Sequence, residues 1–237
     1  MMLARRAALL LLSGAILLGA GRWWKKAGTA PGGPDELRIA YTDNISGLDP
    51  RSLRAPPSLT QRMTDALWDE LIAFDPRTLK PVPRVAESWE VLDGGRRYVI
   101  HLGDAHRWSN GDPVTAGDFV RTVRWLLAQD ADHPLLRLLG DAGRSPAAGQ
   151  DGRDEISVSA PDARTLEIRL REAPPDFVSL LAALCWIPLH ESSVGAFERG
   201  DWSEPDRLVS NGPFRLRHFG SAEVLLDENP HHARRAG

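Results

Sequence analysis

The segment Trp108–Phe119, "WSNGDPVTAGDF", combines a tryptophan, an Asn-Gly turn, a proline and a helix start. Asn110 and Gly111 adopt the left-handed backbone conformations of a tight turn at little steric cost. Thr115 is a typical helix N-cap, and Asp118 three residues later completes a pattern related to the capping box. Because every residue has a structural role, the segment predicts a turn followed by a helix rather than a catalytic loop.

Hydrophobic residues after this turn recur at helical spacing. The predicted buried stripe of the helix consists of Phe119, Val120, Val123, Leu126 and Leu127. Trp108 is expected to pack on the same core.

Alternating hydrophobic residues predict strands around this helix. In "RRYVIHL", Tyr98, Ile100 and Leu102 share one face, and the "DGG" before them fits a hairpin turn. "EISVSA" and "TLEIRL" predict a second pair of strands, joined around Pro161 and Asp162. "NGPFRLRHF" and "AEVLLDENP" predict a third pair.

Two further helices are predicted from apolar spacing. One runs from Ser58 to about Phe74, and the other follows Pro174 and Pro175. The stripe of the second consists of Phe177, Leu180, Leu181 and Leu184. The Gly- and Ala-rich residues 139–152 predict an exposed loop. This mixture of strands and helices indicates an α/β (mixed α+β) fold.

Composition excludes several protein classes. The 237 residues are 42% hydrophobic and 26% charged, as in ordinary globular proteins. Five basic residues lie before residue 27, where there is no acid, so the rest of the chain is more acidic than the net charge of −3. An acidic body argues against a nucleic-acid partner. The lone Cys185 excludes an internal disulfide, and its apolar neighbours predict a small buried hydrophobe.

Residues 1–30 predict either a signal peptide or an N-terminal anchor, followed by a linker. Two arginines, an apolar stretch from Ala7 to Ala20 and small residues give the order of a secretory leader. The stretch is short for a membrane span. However, "WWKK" at residues 23–26 also resembles the flank of a retained anchor. Both alternatives place the folded part outside the cytoplasm, in the periplasm, and the anchor would attach it to the inner membrane.

The sequence indicates no enzyme, no cofactor and no metal site. It contains neither a nucleophile elbow nor a Gly-rich phosphate loop. "HESSV" from His190 lacks the second histidine of a zinc helix. His231 and His232 are adjacent, but no further ligands follow at fixed spacing.

Several blocks, taken in order, resemble the solute-binding proteins of peptide ABC transporters, family 5. These are "GLDP", "LWDELIAFD", "PVPRVAESWEVLDGGRRYVIHL", "WSNGDPVTAGDFV", "TLEIRL" and "SNGPFRL…ENP", and they extend from about Leu37 to Pro230. The resemblance implies a binding protein that delivers a peptide or other small solute to ABC permease subunits. The alternative is a membrane-anchored sensing or interaction module that retains the lobe without transport.

The resemblance also implies the fold of a bilobal periplasmic binding protein. Residues 35–237 match the first lobe, with an inserted subdomain at about residues 48–165. In the family, an Asn-Pro-x-Tyr-like strand end leads into the second lobe, whereas here Asn229-Pro230 is followed by two histidines and five further residues. The expectation is therefore a first lobe whose second lobe is missing, and which binds ligand weakly by itself.

A ligand-binding segment is implied by the same resemblance. In oligopeptide binders, the backbone before the first helix pairs with an extended ligand as an added strand. The matching positions are Pro56, Pro57, Ser58 and Leu59. Because proline has no N–H to donate, Pro56 and Pro57 are expected to weaken this contact.

Overall fold

The computed structural model describes residues 59–128, 134–143, 158–170, 172–184, 186–220 and 223–233. The predicted leader or anchor, the linker and Cys185 lie outside these ranges. Within them, no helix is long and apolar enough to cross a membrane. The described helices are α1 (Leu59–Leu67), α2 (Ala116–Ala128), α3 (Pro134–Gly143), α4 (Phe177–Ala183) and α5 (Glu191–Arg199). The described strands are β1 (Ile72–Phe74), β2 (Pro81–Pro83), β3 (Ala86–Leu92), β4 (Arg97–Leu102), β5 (Val158–Asp162), β6 (Thr165–Arg169), β7 (Phe214–Phe219) and β8 (Val224–Glu228).

A four-stranded antiparallel sheet forms the centre of the fold. Its strand order is β3-β4-β6-β5. The predicted face of β4 is confirmed, because Tyr98, Ile100 and Leu102 are all buried. The predicted hairpin between β3 and β4 is also confirmed. Asp93 and Gly94 have positive φ angles in its turn.

The second predicted strand pair forms, but its turn lies two residues later than predicted. Asp162 pairs with Thr165, so the turn consists of Ala163 and Arg164. Pro161 belongs to β5 instead of the turn. Since β5 is an edge strand, the N–H that proline lacks is not needed for a ladder hydrogen bond.

Helix α2 starts as the Trp108–Phe119 segment predicts. The Asp118 carboxylate accepts hydrogen bonds from the backbone N–H of Thr115 at 2.8 Å and from its hydroxyl at 3.1 Å. It also accepts one from the indole N–H of Trp108 at 3.2 Å, which fixes this buried ring on the helix start. Asp118 therefore reaches back to the N-cap residue, as in a capping box.

One member of the predicted α2 stripe is wrong. Leu127 is 46% exposed, whereas Trp125, which the stripe omits, is buried. The Trp125 ring packs on Phe197 of α5, with 5.8 Å between the ring centroids. The buried face of α2 is rotated from the predicted stripe because α2 packs against α5 as well as against the sheet.

The first predicted helix is wrong over about its last two turns. Helix α1 ends at Leu67, and Ile72–Phe74 forms strand β1, which pairs with β2. Leu71 is buried as its hydrophobicity predicts. Its N–H donates to Trp186 O at 2.9 Å, and its carbonyl accepts from Ala86 N at 3.0 Å. These tertiary partners replace the intrahelical hydrogen bonds.

Two other local predictions are corrected. Residues 139–143, predicted as part of an exposed loop, belong to α3, in which Leu139 is buried. In α4, Phe177 and Leu181 are buried as predicted, but Leu180 is 39% exposed. Apolar spacing identifies the helix but does not tell how much of the stripe a neighbour covers.

Strands β7 and β8 form the third predicted pair, an antiparallel ribbon. Just before β7, the backbone of Gly212 lies against the end of α1, where its N–H donates to Leu67 O at 2.8 Å. A Cβ at Gly212 would lie 2.5 Å from the Leu67 carbonyl carbon and 2.6 Å from Trp68 N. The ribbon and helix α1 can therefore meet only because residue 212 has no side chain.

We expect Gly212→Ala to destabilise the fold by about 3 kcal/mol, because the added methyl group meets backbone that cannot move aside. Chemical denaturation followed by circular dichroism measures this change in the free energy of unfolding. Gly117→Ala in α2 is the matched control. Its Cβ would approach nothing closer than 3.5 Å, so it should not lower stability. Equal effects of the two substitutions would contradict the close-approach argument.

Candidate functional site

The ligand-binding segment predicted from the sequence lies at the edge of the described structure. Pro56, Pro57 and Ser58 are outside the described residues, and Leu59 is the first residue of α1. At 1.5 Å per residue, the nine residues of α1 separate Leu59 from Leu67 by about 12 Å. The assignment of this segment to ligand binding stays a prediction.

At the other end of α1, three distant chain segments meet. They are the corner after α1 (residues 68–70), the segment before β7 (residues 210–212) and the segment after β8 (residues 229–232). We call this meeting point the polar junction. Its polar side chains are Asp69, Asn211, Asn229 and His232 from these segments, together with Arg84 from the connection between β2 and β3.

The carboxylate of Asp69 is the centre of the polar junction and is only 2% exposed. Its Oδ1 accepts from Arg84 Nε at 2.8 Å and from Arg84 Nη2 at 2.7 Å. Its Oδ2 lies 2.9 Å from His232 Nε2. Burial acts to raise the pKa of Asp69, but the hydrogen bond from His232 and the charge of Arg84 outweigh burial and hold this pKa below its usual value.

Two buried asparagine amides connect the backbones of the three segments. Asn211 accepts from Asp69 N at 3.2 Å and donates to Asp69 O at 3.0 Å. Asn229 donates from Nδ2 to Gly212 O at 2.9 Å, and its Oδ1 accepts from His231 N at 3.0 Å. These side chains supply the hydrogen bonds that a sheet ladder would otherwise provide.

The turn of the Trp108–Phe119 segment also packs on the polar junction. Ser109 N donates to Ser210 O at 2.7 Å, and Ser210 N donates to Ser109 Oγ at 3.2 Å. The ring of His231 lies next to Gly111. The sequence predicts only a local role for this turn. A sequence feature shared by the two contacting segments is the tripeptide Ser-Asn-Gly, which occurs at both 109–111 and 210–212.

Glu70, the neighbour of Asp69, bears on whether the polar junction could carry out acid–base chemistry. Burial raises the pKa of Glu70, while the pKa of Asp69 is lowered. Adjacent acids with opposite shifts can serve acid–base chemistry. Here, however, both oxygens of Asp69 are engaged by Arg84 and His232. The arrangement is that of a buried ion pair that fixes three chain segments.

His190 begins the segment "HESSV", which resembles a zinc motif at its first two residues. In the structure it caps helix α5. Its Nδ1 accepts from Ser192 N at 3.2 Å, so the Nε2 proton is available to Asp112 Oδ2 at 3.2 Å. His231 and His232 point to separate partners, Gly111 and Asp69. Across residues 59–233, outside the gaps given above, no three metal-binding side chains come together.

A shallow depression of about 310 Å³ lies beside α2 and β5. Its lining residues are Gly117, Val120, Arg121, Arg124 and Ala160. The Arg121 guanidinium is already engaged by Asp118 and by the carbonyl of Leu189. The depression shares no residue with the polar junction.

Comparison with known proteins identifies the family. Residues 80–236 match the family model described as "Bacterial extracellular solute-binding proteins, family 5 Middle". This range is well over half of the chain, so the chain belongs to this family, as the sequence motifs predict.

Similar proteins carry names that refer to binding. The chain is 38% identical over 156 residues to the "Probable deoxycholate-binding periplasmic protein YgiS" of Escherichia coli, covering 62% of this chain and 28% of that protein. It is 31% identical over 198 residues to the "Periplasmic oligopeptide-binding protein OppA" of Salmonella typhimurium, covering 78% and 34%. The chain thus spans about a third of the length of these relatives.

Solved structures support the same fold. An oligopeptide-binding protein of Borrelia burgdorferi matches with a TM-score of 0.67 at 25% identity, covering 80% of this chain and 38% of that one. The murein tripeptide binding protein MppA of Escherichia coli matches with a TM-score of 0.66 at 28% identity, covering 80% and 37%. The predicted mixed α/β fold of a first lobe is therefore confirmed.

We expect Asp69→Asn to lower the free energy of unfolding by about 2 kcal/mol at pH 7, because Arg84 and His232 lose their charged partner. Asp69 has a lowered pKa when folded, so its contribution is complete above the usual aspartate range and is lost as pH falls through the folded value. Denaturation curves from pH 7 to pH 3 should therefore show the difference between the two proteins shrinking in acid.

Asp104→Asn is the control for this experiment. Asp104 is 82% exposed and lies 3.7 Å from Arg164, so its loss should cost less than about 0.5 kcal/mol. A difference between wild type and Asp69→Asn that does not change with pH would show that the Asp69 charge does not stabilise the junction.

Proposed function

We propose that this member of family 5 acts as an extracytoplasmic substrate-binding component of an ABC transporter for peptides. The match of residues 80–236 to the family model carries the proposal. Relatives named as oligopeptide- and dipeptide-binding proteins support peptides as the ligand class. The proposed role is binding and delivery to permease subunits, without catalysis. The periplasmic location named for its relatives agrees with the leader-like start of the sequence.

The proposed ligand contact is the backbone of residues 56–59. An extended peptide would pair there as an added strand, with its carbonyl groups facing backbone N–H donors. Pro56 and Pro57 supply no such donors, so only Ser58 and Leu59 can donate within this stretch. The domain boundaries at residues 35–237, with the subdomain at about 48–165, belong to the same proposal.

The proposed affinity of these 237 residues alone is low. Micromolar binding corresponds to about −8 kcal/mol, and half of that leaves about −4 kcal/mol, which is millimolar. The chain aligns with about a third of the length of its relatives, so it offers only part of the surface that encloses a ligand in them. Incomplete enclosure also leaves water at the contact.

A sensing or interaction module held at the membrane is the second candidate. The observation that favours it is the Trp23-Trp24-Lys25-Lys26 sequence, since aromatic residues and lysines flank membrane anchors. Mass spectrometry of the mature N-terminus separates the two candidates. A start after residue 20 supports an exported binding protein, whereas an intact Met1 end supports an anchored module.

We expect calorimetry of the full chain with dipeptides to pentapeptides to give dissociation constants in the millimolar range. Deoxycholate is included as a second ligand class because of the name of one relative. Micromolar peptide affinity would disprove the partial-site argument. Tighter binding of deoxycholate than of any peptide would disprove the peptide assignment.

Pro57→Ala is expected to tighten peptide binding by about twofold to tenfold, because it restores one backbone donor to the proposed ligand strand. Pro76→Ala is the matched control, since Pro76 is an exposed proline outside the proposed ligand contact. Unchanged affinity of Pro57→Ala, measured by the same calorimetry, would place the ligand contact elsewhere.

A further inference from the structure

The loop between β1 and β2, residues 75–80, is largely exposed and closed by its own hydrogen bonds, and the proposed function does not explain it. We call it the tip loop. Asp75 N donates to Lys80 O at 2.9 Å and Leu79 N donates to Asp75 O at 2.9 Å, so the backbone closes on itself. The Asp75 carboxylate accepts from Thr78 N at 2.7 Å and from Arg77 N at 3.0 Å. These bonds fix one loop conformation.

Leu79 of the tip loop has an unusual backbone conformation and an exposed side chain. Its φ angle is +53°, a left-handed conformation that leucine disfavours. Its side chain is 72% exposed, the highest value among the large hydrophobic residues in the described ranges. Backbone strain of this kind persists where the surrounding structure enforces it, and it is frequent at functional sites.

Two cations flank this apolar side chain. Arg77 and Lys80 are both exposed, and within the described part of the chain no acid forms an ion pair with either of them. Phe74, directly before the loop, is 37% exposed. Among the described residues, the tip loop therefore combines an apolar end with two cations that pair with no acid. With the carboxylate of Asp75 counted against Arg77 and Lys80, the loop carries a net charge of +1, in a chain whose net charge is negative.

We propose that the tip loop contacts an anionic phospholipid surface, with Arg77 and Lys80 at the phosphate groups and Leu79 in the interfacial layer. A six-residue loop buries far less than the roughly 800 Å² per partner of a stable protein interface. A lipid surface needs no such area, because each cation and each buried apolar group adds independently. The proposal rests on the extracytoplasmic placement given above, but not on any ligand.

The tip loop alone binds weakly. A lysine or arginine near an anionic surface contributes about a fivefold change in partitioning, so two cations contribute about 25-fold. The rest of the chain is acidic and is repelled by the same surface. The loop therefore orients a chain that is already near the membrane, and the test must report the position of the loop rather than total binding.

A fluorophore next to Leu79 gives this report. Pro76→Cys in a Cys185→Ala background is labelled in the full chain and mixed with vesicles of phosphatidylglycerol and phosphatidylcholine in equal parts, which carry a lipid-phase quencher. We expect quenching of this label and little quenching of one at Val91→Cys, an exposed position outside the loop. Vesicles of phosphatidylcholine alone should quench neither label.

Charge variants test the assigned residues. Arg77→Gln with Lys80→Gln, introduced into the labelled chain, should reduce apparent partitioning of the loop by about 25-fold. Arg107→Gln with Arg124→Gln removes the same charge from exposed positions elsewhere and should have little effect. Equal losses in the two double variants would overturn the assignment to the loop.

Leu79→Gly separates a functional role from a structural one. Glycine relieves the left-handed strain, so its urea midpoint should be equal to or above that of the wild type, while the quenching falls severalfold. Equal quenching at positions 76 and 91 of the parent chain would overturn the lipid assignment and favour a protein partner. Peptide affinities measured by calorimetry should be unchanged in all these variants. A failure of the lipid-contact proposal is therefore distinguishable from a failure of the proposed peptide binding.

Discussion

The structure depends on the absence of a side chain at Gly212. Only a glycine lets the segment before β7 approach the end of α1 within hydrogen-bonding distance of the Leu67 carbonyl. This approach places Asn211 opposite the backbone of Asp69 and buries the Asp69 carboxylate. Burial of a charge then requires Arg84 and His232 as partners. One steric constraint thus leads to the whole polar junction.

Asp69 of the polar junction and the tip loop lie near opposite ends of one short stretch of the chain, residues 68–80. The two sites use their polar groups differently. At the junction, the buried Asp69 carboxylate is paired with Arg84 and His232, so it holds distant segments together. At the tip loop, Arg77, Lys80 and Leu79 are exposed, while the Asp75 carboxylate bonds to backbone N–H groups and to the Thr78 hydroxyl within the loop. The first arrangement stabilises the fold, and the second is suited to contact with another surface.

Predictions from local sequence succeeded where local chemistry decides the backbone. The start of α2 at Ala116 formed as predicted, because its hydrogen bonds are made within a few residues. The turn at Asn110-Gly111 also formed, but of the two residues predicted to be left-handed only Gly111 has a positive φ angle. The helix predicted through Phe74 failed, because Leu71 finds its backbone partners in Trp186 and Ala86 instead. Apolar spacing does not distinguish a helix from a buried strand over three residues.

The sequence by itself determined the family, the mixed α/β class and most strands, because motif spacing and alternation are properties of neighbouring residues. Only the tertiary structure decided that Asp69 is buried with His232, 163 residues away. It also decided that Leu79 is exposed in a strained loop. The burial of Asp69 depends on which distant backbones approach each other, whereas the conformation of Leu79 is fixed by hydrogen bonds within residues 75–80. The spacing of apolar residues does not predict which distant segments approach each other, because that approach follows from packing the elements together.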